Sequence, residues 1–270
     1  MSSIYKHILF VFSSALTVSA VDIVNFTAGE GYVDGNLNNN PAWVAQAQWQ
    51  VDSSGAGSVT SNTGAFIRGL YLGSSSTNSI GDQITMSLDF SFTSNYFSPT
   101  NPPSTNGQQQ FFLMGLANTD GSAAAVPQLL GVALARGASD DSLQLRLGSG
   151  GSGTSLGNAS DFDGDSFLFT TTWTKLDADS YGIASTIVAS SGPTVYELNT
   201  TVDDATAGDS SIFRGIFNIL PSAGTAGPDV NSYDGISIDT FTFGVVPEPG
   251  TFPLLAGLTA LAFGLFRRRR

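Results

Sequence analysis

The chain has 270 residues, 41% of them hydrophobic and 12% charged, with 31 glycines, no cysteine and a single histidine, His7. Acids outnumber cations by 22 to 10, and the part between the two terminal segments, residues 21–244, holds 21 acids against 5 cations, a net charge near −16. Such a surface repels phosphate backbones, which excludes nucleic acid as a partner. The missing cysteines exclude disulfides, thiolate metal sites and thiol nucleophiles, and a histidine confined to position 7 leaves no Ser-His-Asp hydrolysis and no histidine-bound zinc.

At the N-terminus, Lys6 and His7 precede an apolar run from Ile8 to Val18, and Val18-Ser19-Ala20 offers the small residues that a signal peptidase accepts. The run is shorter than the roughly 20 residues of a spanning helix. Residues 1–20 therefore read as a secretory signal that is removed on export.

From residue 21 to 244 the pattern is that of strands. "WVAQAQWQV" places Trp43, Ala45, Ala47, Trp49 and Val51 on one face and glutamines on the other. In "ITMSLDFSFT", Ile84, Met86, Leu88, Phe90 and Phe92 alternate with polar residues, the period of a half-buried strand. Leu143, Leu145 and Leu147 alternate in the same way. Further strand-like runs lie at 66–72, 111–117, 130–136, 167–171, 181–188, 195–202, 212–220 and 236–243. In the last of these the apolar phase slips between Ile238 and Phe241, which predicts a bulge near Asp239-Thr240. About a dozen short strands with Gly, Ser and Asn turns and no amphipathic helix predict one all-β domain, an antiparallel sandwich or jelly roll. The dipeptides Arg68-Gly69, Arg136-Gly137 and Arg214-Gly215 recur without a fixed period, and their arginines read as structural charges set among many acids.

Between the strands, residues 95–110 carry prolines and polar residues suited to a long loop, with Tyr96 and Phe97 as candidate ligand-binding aromatics at its start. "GSGGSG" at 148–153 matches Gly-x-Gly-x-x-Gly, but no helix follows it, so it reads as a flexible loop. "DFDGD" brings Asp161, Asp163 and Asp165 together. Alternating carboxylates of this kind are candidate calcium ligands, although Ser166 and Thr172 stand where an EF-hand places Gly and Glu, and an Asp-Gly hairpin turn is the plain alternative. No cofactor other than calcium is expected, and no catalytic residue stands out: the only body glutamates, Glu30 and Glu197, lie far apart, where a glycosidase needs two neighbouring carboxylates.

The C-terminus has three parts: Pro247-Glu248-Pro249, then 15 uncharged residues from Phe252 to Phe266, then Arg267, Arg268, Arg269 and Arg270. A helix of that length reaches about 22 Å against roughly 30 Å of hydrocarbon. It spans with help from the arginines, which snorkel to headgroups and hold the terminus in the cytoplasm, leaving the folded body outside. Pro247 and Pro249 stop the helix from extending backward and keep Glu248 in an extended, readable backbone.

This order of parts resembles the PEP-CTERM sorting signal of exported proteins in Gram-negative bacteria. The resemblance implies a chain of three regions: signal peptide 1–20, sandwich 21–244 and sorting signal 245–270 with a short transmembrane helix. It implies recognition by an exosortase after signal peptidase, membrane attachment before processing, and residence at the cell surface, outer membrane or extracellular matrix, in association with exopolysaccharide. The body, in "FIRGLYLG", "ITMSLDFSF", "GVALARG" and "LQLRLG", resembles concanavalin-like lectin and glucanase jelly rolls. The expected function is that of a non-enzymatic, glycan-associated surface protein, with a carbohydrate-active enzyme or a calcium-dependent adhesin as the alternatives.

Overall fold

The period-two segments fold as strands in the computed structural model, which describes residues 21–45, 49–61, 67–73, 75–76, 79–92, 110–117, 129–136, 142–147, 153–162, 165–192, 194–203, 212–220 and 236–246. In chain order these are β1 (Asp22–Val24), β2 (Gly35–Asn36), β3 (Trp43–Ala45), β4 (Gln50–Asp52), β5 (Ser58–Ser61), β6 (Ile67–Tyr71), β7 (Ser75–Ser76) and β8 (Gln83–Phe92). There follow β9 (Gln110–Ala117), β10 (Leu129–Arg136), β11 (Ser142–Leu147), β12 (Gly153–Asn158), β13 (Ser166–Lys175), β14 (Ser180–Ala189), β15 (Val195–Asp203), β16 (Ile212–Leu220) and β17 (Ile236–Val246).

Every pairing is antiparallel, and the strands form two sheets. One sheet runs β15-β14-β13-β8-β17-β5-β4-β2, with β1 also on β17; the other runs β12-β11-β10-β9-β16-β6-β3, with β7 on β16. The predicted all-β sandwich is therefore present, and it is built from strands distant in sequence: β17 lies beside β8, and β16 beside β9.

One apolar layer lies between the sheets. Ile84, Met86, Leu88 and Phe90 of β8 are fully buried, as are Phe167, Phe169 and Trp173 of β13 and Phe241 of β17; from the facing sheet come Phe112, Met114, Val132, Leu143, Leu145, Phe213 and Phe217. Aromatic rings bridge the gap at Trp43–Phe241 (5.1 Å), Phe90–Phe112 (4.6 Å) and Tyr181–Phe213 (5.8 Å). Pairs at these separations add attraction beyond the area they bury. Most polar groups that enter this layer have partners: Trp173 Nε1 donates to the carbonyl of Leu130 across the sandwich at 2.8 Å, and the hydroxyls of Thr171 and Ser185 bond each other at 2.8 Å, whereas the buried Nε1 of Trp49 has no hydrogen-bond acceptor among the described residues. Near the N-terminus, the Tyr71 hydroxyl donates to Asp22 Oδ2 at 3.0 Å, and burial followed by that carboxylate holds the phenol well above its ordinary pKa.

Two of the recurring Arg-Gly pairs have a packing cause. A Cβ at Gly69 would lie 2.5 Å from the Phe217 ring, and one at Gly215 would lie 2.9 Å from Phe241 and 3.0 Å from Phe243. Glycine stands there because aromatic rings close against the backbone. The predicted bulge is also present, as a register shift between Ile238 and Thr240 where β17 pairs with β8.

The structure departs from the sequence reading in several places, beyond the short strands β1, β2, β5 and β7 that the sequence does not mark. The stretch 43–51 is not one strand: Trp43 lies in β3 of one sheet and Val51 in β4 of the other, while Trp43 and Trp49 both point into the shared core. The two tryptophans keep a common phase because both sheets face the same interior. Ala159–Phe162 is a turn of 3-10 helix that the sequence does not mark, while Asp163 and Gly164, where the Asp-Gly turn is expected, lie outside the described residues. Gly153–Asn158, with Leu156 as its only large apolar residue, forms strand β12, which the sequence does not mark; of the loop read at 148–153 only Gly153 lies among the described residues, and it opens this strand. Finally, β17 continues to Val246, three residues past the end of the strand expected at 236–243.

Candidate functional site

A two-layer sandwich has two outer faces, and here they differ in access. On the eight-stranded sheet the residues that alternate with the core are themselves buried: Leu113, Ala117, Ala133, Ala135 and Ile216 are all at most 1% exposed. Arg146, on this face opposite Ala133, is buried as well and donates through Nε to Gln144 Oε1 at 3.2 Å. A saccharide has no open surface at these positions.

The outer face of the nine-stranded sheet is open and rich in hydroxyls. Register aligns Thr242, Ser87, Thr170 and Thr186 in one row across β17, β8, β13 and β14, and Thr85 with Thr172 in the next. Several of these groups use each other: Thr85 and Thr172 are bonded at 2.9 Å, and Ser87 bonds Thr242. Asp89 also lies on this face, opposite Thr240 at the bulge. Partial loss of hydration and then the charge of Asp239 hold its carboxyl above the usual range.

Toward β15 the face dips into an open trough of about 450 Å³, whose lining includes Thr174, Leu176, Gly182, Ala184, Asn199 and Thr201. The pairings Thr174↔Gly182↔Thr201 and Thr172↔Ala184↔Asn199 explain the shape, because the middle strand presents its smallest residues between taller neighbours. Among the described residues no charged side chain lines it.

The residues singled out from sequence do not gather into one site. Asp161 sits in the 3-10 turn, exposed; Asp165 accepts from the Ser190 hydroxyl at 3.2 Å through Oδ1, and its Oδ2 is buried without a partner. Asp163 lies outside the described residues, among which no three acidic side chains come together as a metal cluster. Tyr96 and Phe97 also lie outside them, as do the secretory segment 1–20 and the terminal residues Pro247, Glu248, Pro249, Arg267, Arg268, Arg269 and Arg270. Sequence reading missed the trough, whose only linear trace is Gly182 and Ala184 falling opposite in phase to Tyr181, Ile183 and Ile187.

The chain leaves the described fold from a central strand. Val245 stands opposite Ile84 and Val246 opposite Gln83, so β17 stays paired up to the residue before Pro247. Thr174 pairs with Gln83 in turn, which puts the trough and this exit at the same end of the sheet.

Solved structures of similar fold include basic winged bean lectin with Tn-antigen, at TM-score 0.53 and 13% identity over 83% of this chain and 97% of that one. Lectin II from Ulex europaeus aligns at TM-score 0.54 and 11% identity, over 84% and 99%. A variant of the alginate lyase Aly36B in complex with alginate trisaccharide aligns at TM-score 0.50 and 13% identity, again over 84% and 99%. At such identities the likeness is one of fold: the body is a lectin-like antiparallel sandwich. No curated protein sequence matches the chain. The C-terminal segment does match a family model: residues 245–270 carry the PEP-CTERM protein-sorting motif, and its first two residues are the last two of β17.

Proposed function

We propose that this protein is an exported surface or matrix component, delivered by its PEP-CTERM signal and associated with polysaccharide without degrading it. The observation that carries the reading is the motif match over residues 245–270, joined without a spacer to a lectin-like sandwich. In this reading a signal peptidase removes residues 1–20. The apolar run from Phe252 to Phe266, stopped by Arg267 to Arg270, holds the body at the membrane, and an exosortase reads Pro247-Glu248-Pro249. The destination is the surface, outer membrane or extracellular matrix of a Gram-negative bacterium that makes exopolysaccharide. Glycan association draws support from the fold shared with lectins and from the open hydroxyl face.

The non-enzymatic part draws on the wide separation of Glu30 and Glu197, the only glutamates of residues 21–244, and on the lack of a histidine there, with the aspartates as the carboxylates a competing enzyme would have to use. The alginate lyase of similar fold motivates the competing activity. Incubation with alginate and neutral polysaccharides tests it: no release of reducing ends or unsaturated products is expected, and turnover would overturn the assignment. A second reading, a calcium-dependent adhesin, draws on Asp165, whose buried Oδ2 has no hydrogen-bond donor. It requires a melting temperature that falls on chelation.

Localisation in the native host tests the main reading. The mature chain is expected in the surface or matrix fraction, lacking residues 1–20 and the arginine cluster, and a variant ending at Val246 is expected to lose that attachment. Full-length chain in the cytoplasm would overturn the proposal.

A further inference from the structure

The trough along β14 is built from choices that packing does not demand. Glycine within a strand weakens it, and is normally explained by a close approach or a special backbone angle. Neither holds at Gly182: its φ is outside the left-handed region, and an added Cβ would meet only the side chain of Leu176, at an ordinary 3.6 Å. Gly69 and Gly215, by contrast, are pressed against rings. What glycine achieves at 182 is a low floor, continued by Ala184 two residues along the same face.

The walls complete the feature. Strands lie about 4.8 Å apart, so β13 and β15 stand roughly 9.6 Å from each other across β14, wide enough for one sugar chain lying along the strand. Thr174 on one wall and Asn199 and Thr201 on the other supply hydroxyl and amide groups whose side chains make no hydrogen bond among the described residues, unlike the mutually bonded Thr85 and Thr172. Leu176, 43% exposed, offers an apolar edge for a pyranose face. Charge decides the ligand class: the lining is uncharged, while the exposed acids Glu197, Asp177, Asp179 and Asp203 stand on the strands and turn around it. A polyanion would be repelled and a neutral chain would not.

We propose that the trough formed by Thr174, Leu176, Gly182, Ala184, Asn199 and Thr201 binds a single chain of an uncharged polysaccharide, laid along β14. This rests on the glycan-associating part of the function proposed above and names its site and its ligand class. The trough lies at the end of the sheet where the chain passes into the sorting motif, so a bound glycan would sit beside the attachment point.

Affinity electrophoresis of the full chain against dextran, mannan and xylan as neutral probes, with alginate as the anionic one, tests the proposal. Retardation by at least one neutral polysaccharide and none by alginate is expected. Ala184→Ile, a strand-favouring residue at an exposed position, fills the floor and should weaken that retardation at least tenfold with no fall in melting temperature. Asn199→Ala should weaken it severalfold, and Leu168→Ala, on the same face but away from the trough, should leave it unchanged. Should Ala184→Ile fold poorly, Gly182→Ala serves in its place, because its Cβ meets no obstacle. Neutral binding untouched by both floor variants would overturn the site while leaving glycan association intact. Binding to alginate alone would overturn the ligand class. Binding to no polysaccharide would remove the glycan part of the function, and the site with it, while sorting through residues 245–270 would stand on localisation alone.

Discussion

Val246, the last residue of β17, stands opposite Gln83, the first of β8, so the sorting motif begins inside the sheet. Five residues, 247–251, separate that pair from the apolar run at Phe252, and even fully extended they reach at most roughly 17 Å. An enzyme reading Pro247-Glu248-Pro249 therefore meets the edge of a folded domain. A six-residue Gly-Ser spacer between Val246 and Pro247 is expected to leave the melting temperature unchanged and to raise the processed fraction in the native host. Immunoblotting of membrane and surface fractions checks it, and an unchanged fraction would mean that the motif is already free of the sheet.

Gly69 faces Phe217, and its missing Cβ is part of the core. In open space Gly→Ala stabilises by about 0.4–1 kcal/mol through the unfolded chain. Here the added carbon would fall 2.5 Å from two ring atoms, and the ring has no retreat, being held against Trp43 at 5.4 Å and Trp49 at 4.9 Å. Overpacking of this kind costs about 1–3 kcal/mol. Gly69→Ala should accordingly lower the urea midpoint with the m-value unchanged.

Trp173 anchors one sheet to the other. Its indole is fully buried, and Nε1 is hydrogen-bonded to the carbonyl of Leu130, a residue held at a φ of 57° where β10 shifts register. Trp173→Phe keeps an aromatic ring, removes the donor and strands the buried carbonyl, a loss of about 1–3 kcal/mol before any cavity is counted. The transition in denaturant should move down by that amount, and amide exchange should quicken on β10 as well as on β13. Exchange confined to β13 would count against the cross-sheet bond.

Much of this architecture is readable from the sequence, because strands with one buried face write their burial at period two: Ile84 to Phe90 in β8 and Tyr181 to Ile187 in β14 are plain examples. Two kinds of feature escape. Strand β12 has a single large apolar residue, Leu156, and exists through its backbone pairing with β11, which leaves no periodic trace. The trough depends on Thr174, Gly182 and Thr201 meeting across three strands, and that meeting is set by register, which a linear pattern does not contain. The bulge at Ile238–Thr240 was legible because it shifts the phase within one strand.

Asp89 supplies a pH-dependent prediction on the open face. Partial dehydration and then the neighbouring Asp239 raise its carboxyl above the ordinary value, so the folded state holds this proton more tightly than the unfolded chain does. The group therefore lowers stability once the pH exceeds its folded pKa, and that penalty disappears as the pH falls through the same value. Asp89→Asn should raise the melting temperature at pH 7 by a small amount, in keeping with the roughly 0.2–1 kcal/mol of exposed charge pairs, and the gain should shrink in high salt. Near pH 3 the variant and the parent should melt together. Asp34 and Asp177 behave oppositely: bonds chiefly from Ser53 to the first, and from Ser180 and Asp179 to the second, hold both below the usual range, so the stability they contribute at neutral pH is lost as the pH falls through their folded values. Thermal melts of parent and Asp89→Asn between pH 3 and 8 separate the two effects. Acid destabilisation should persist in the variant, because Asp34 and Asp177 remain, while its advantage at neutral pH should fade on the acid side. An advantage that instead grows toward low pH would reverse the sign assigned to Asp89.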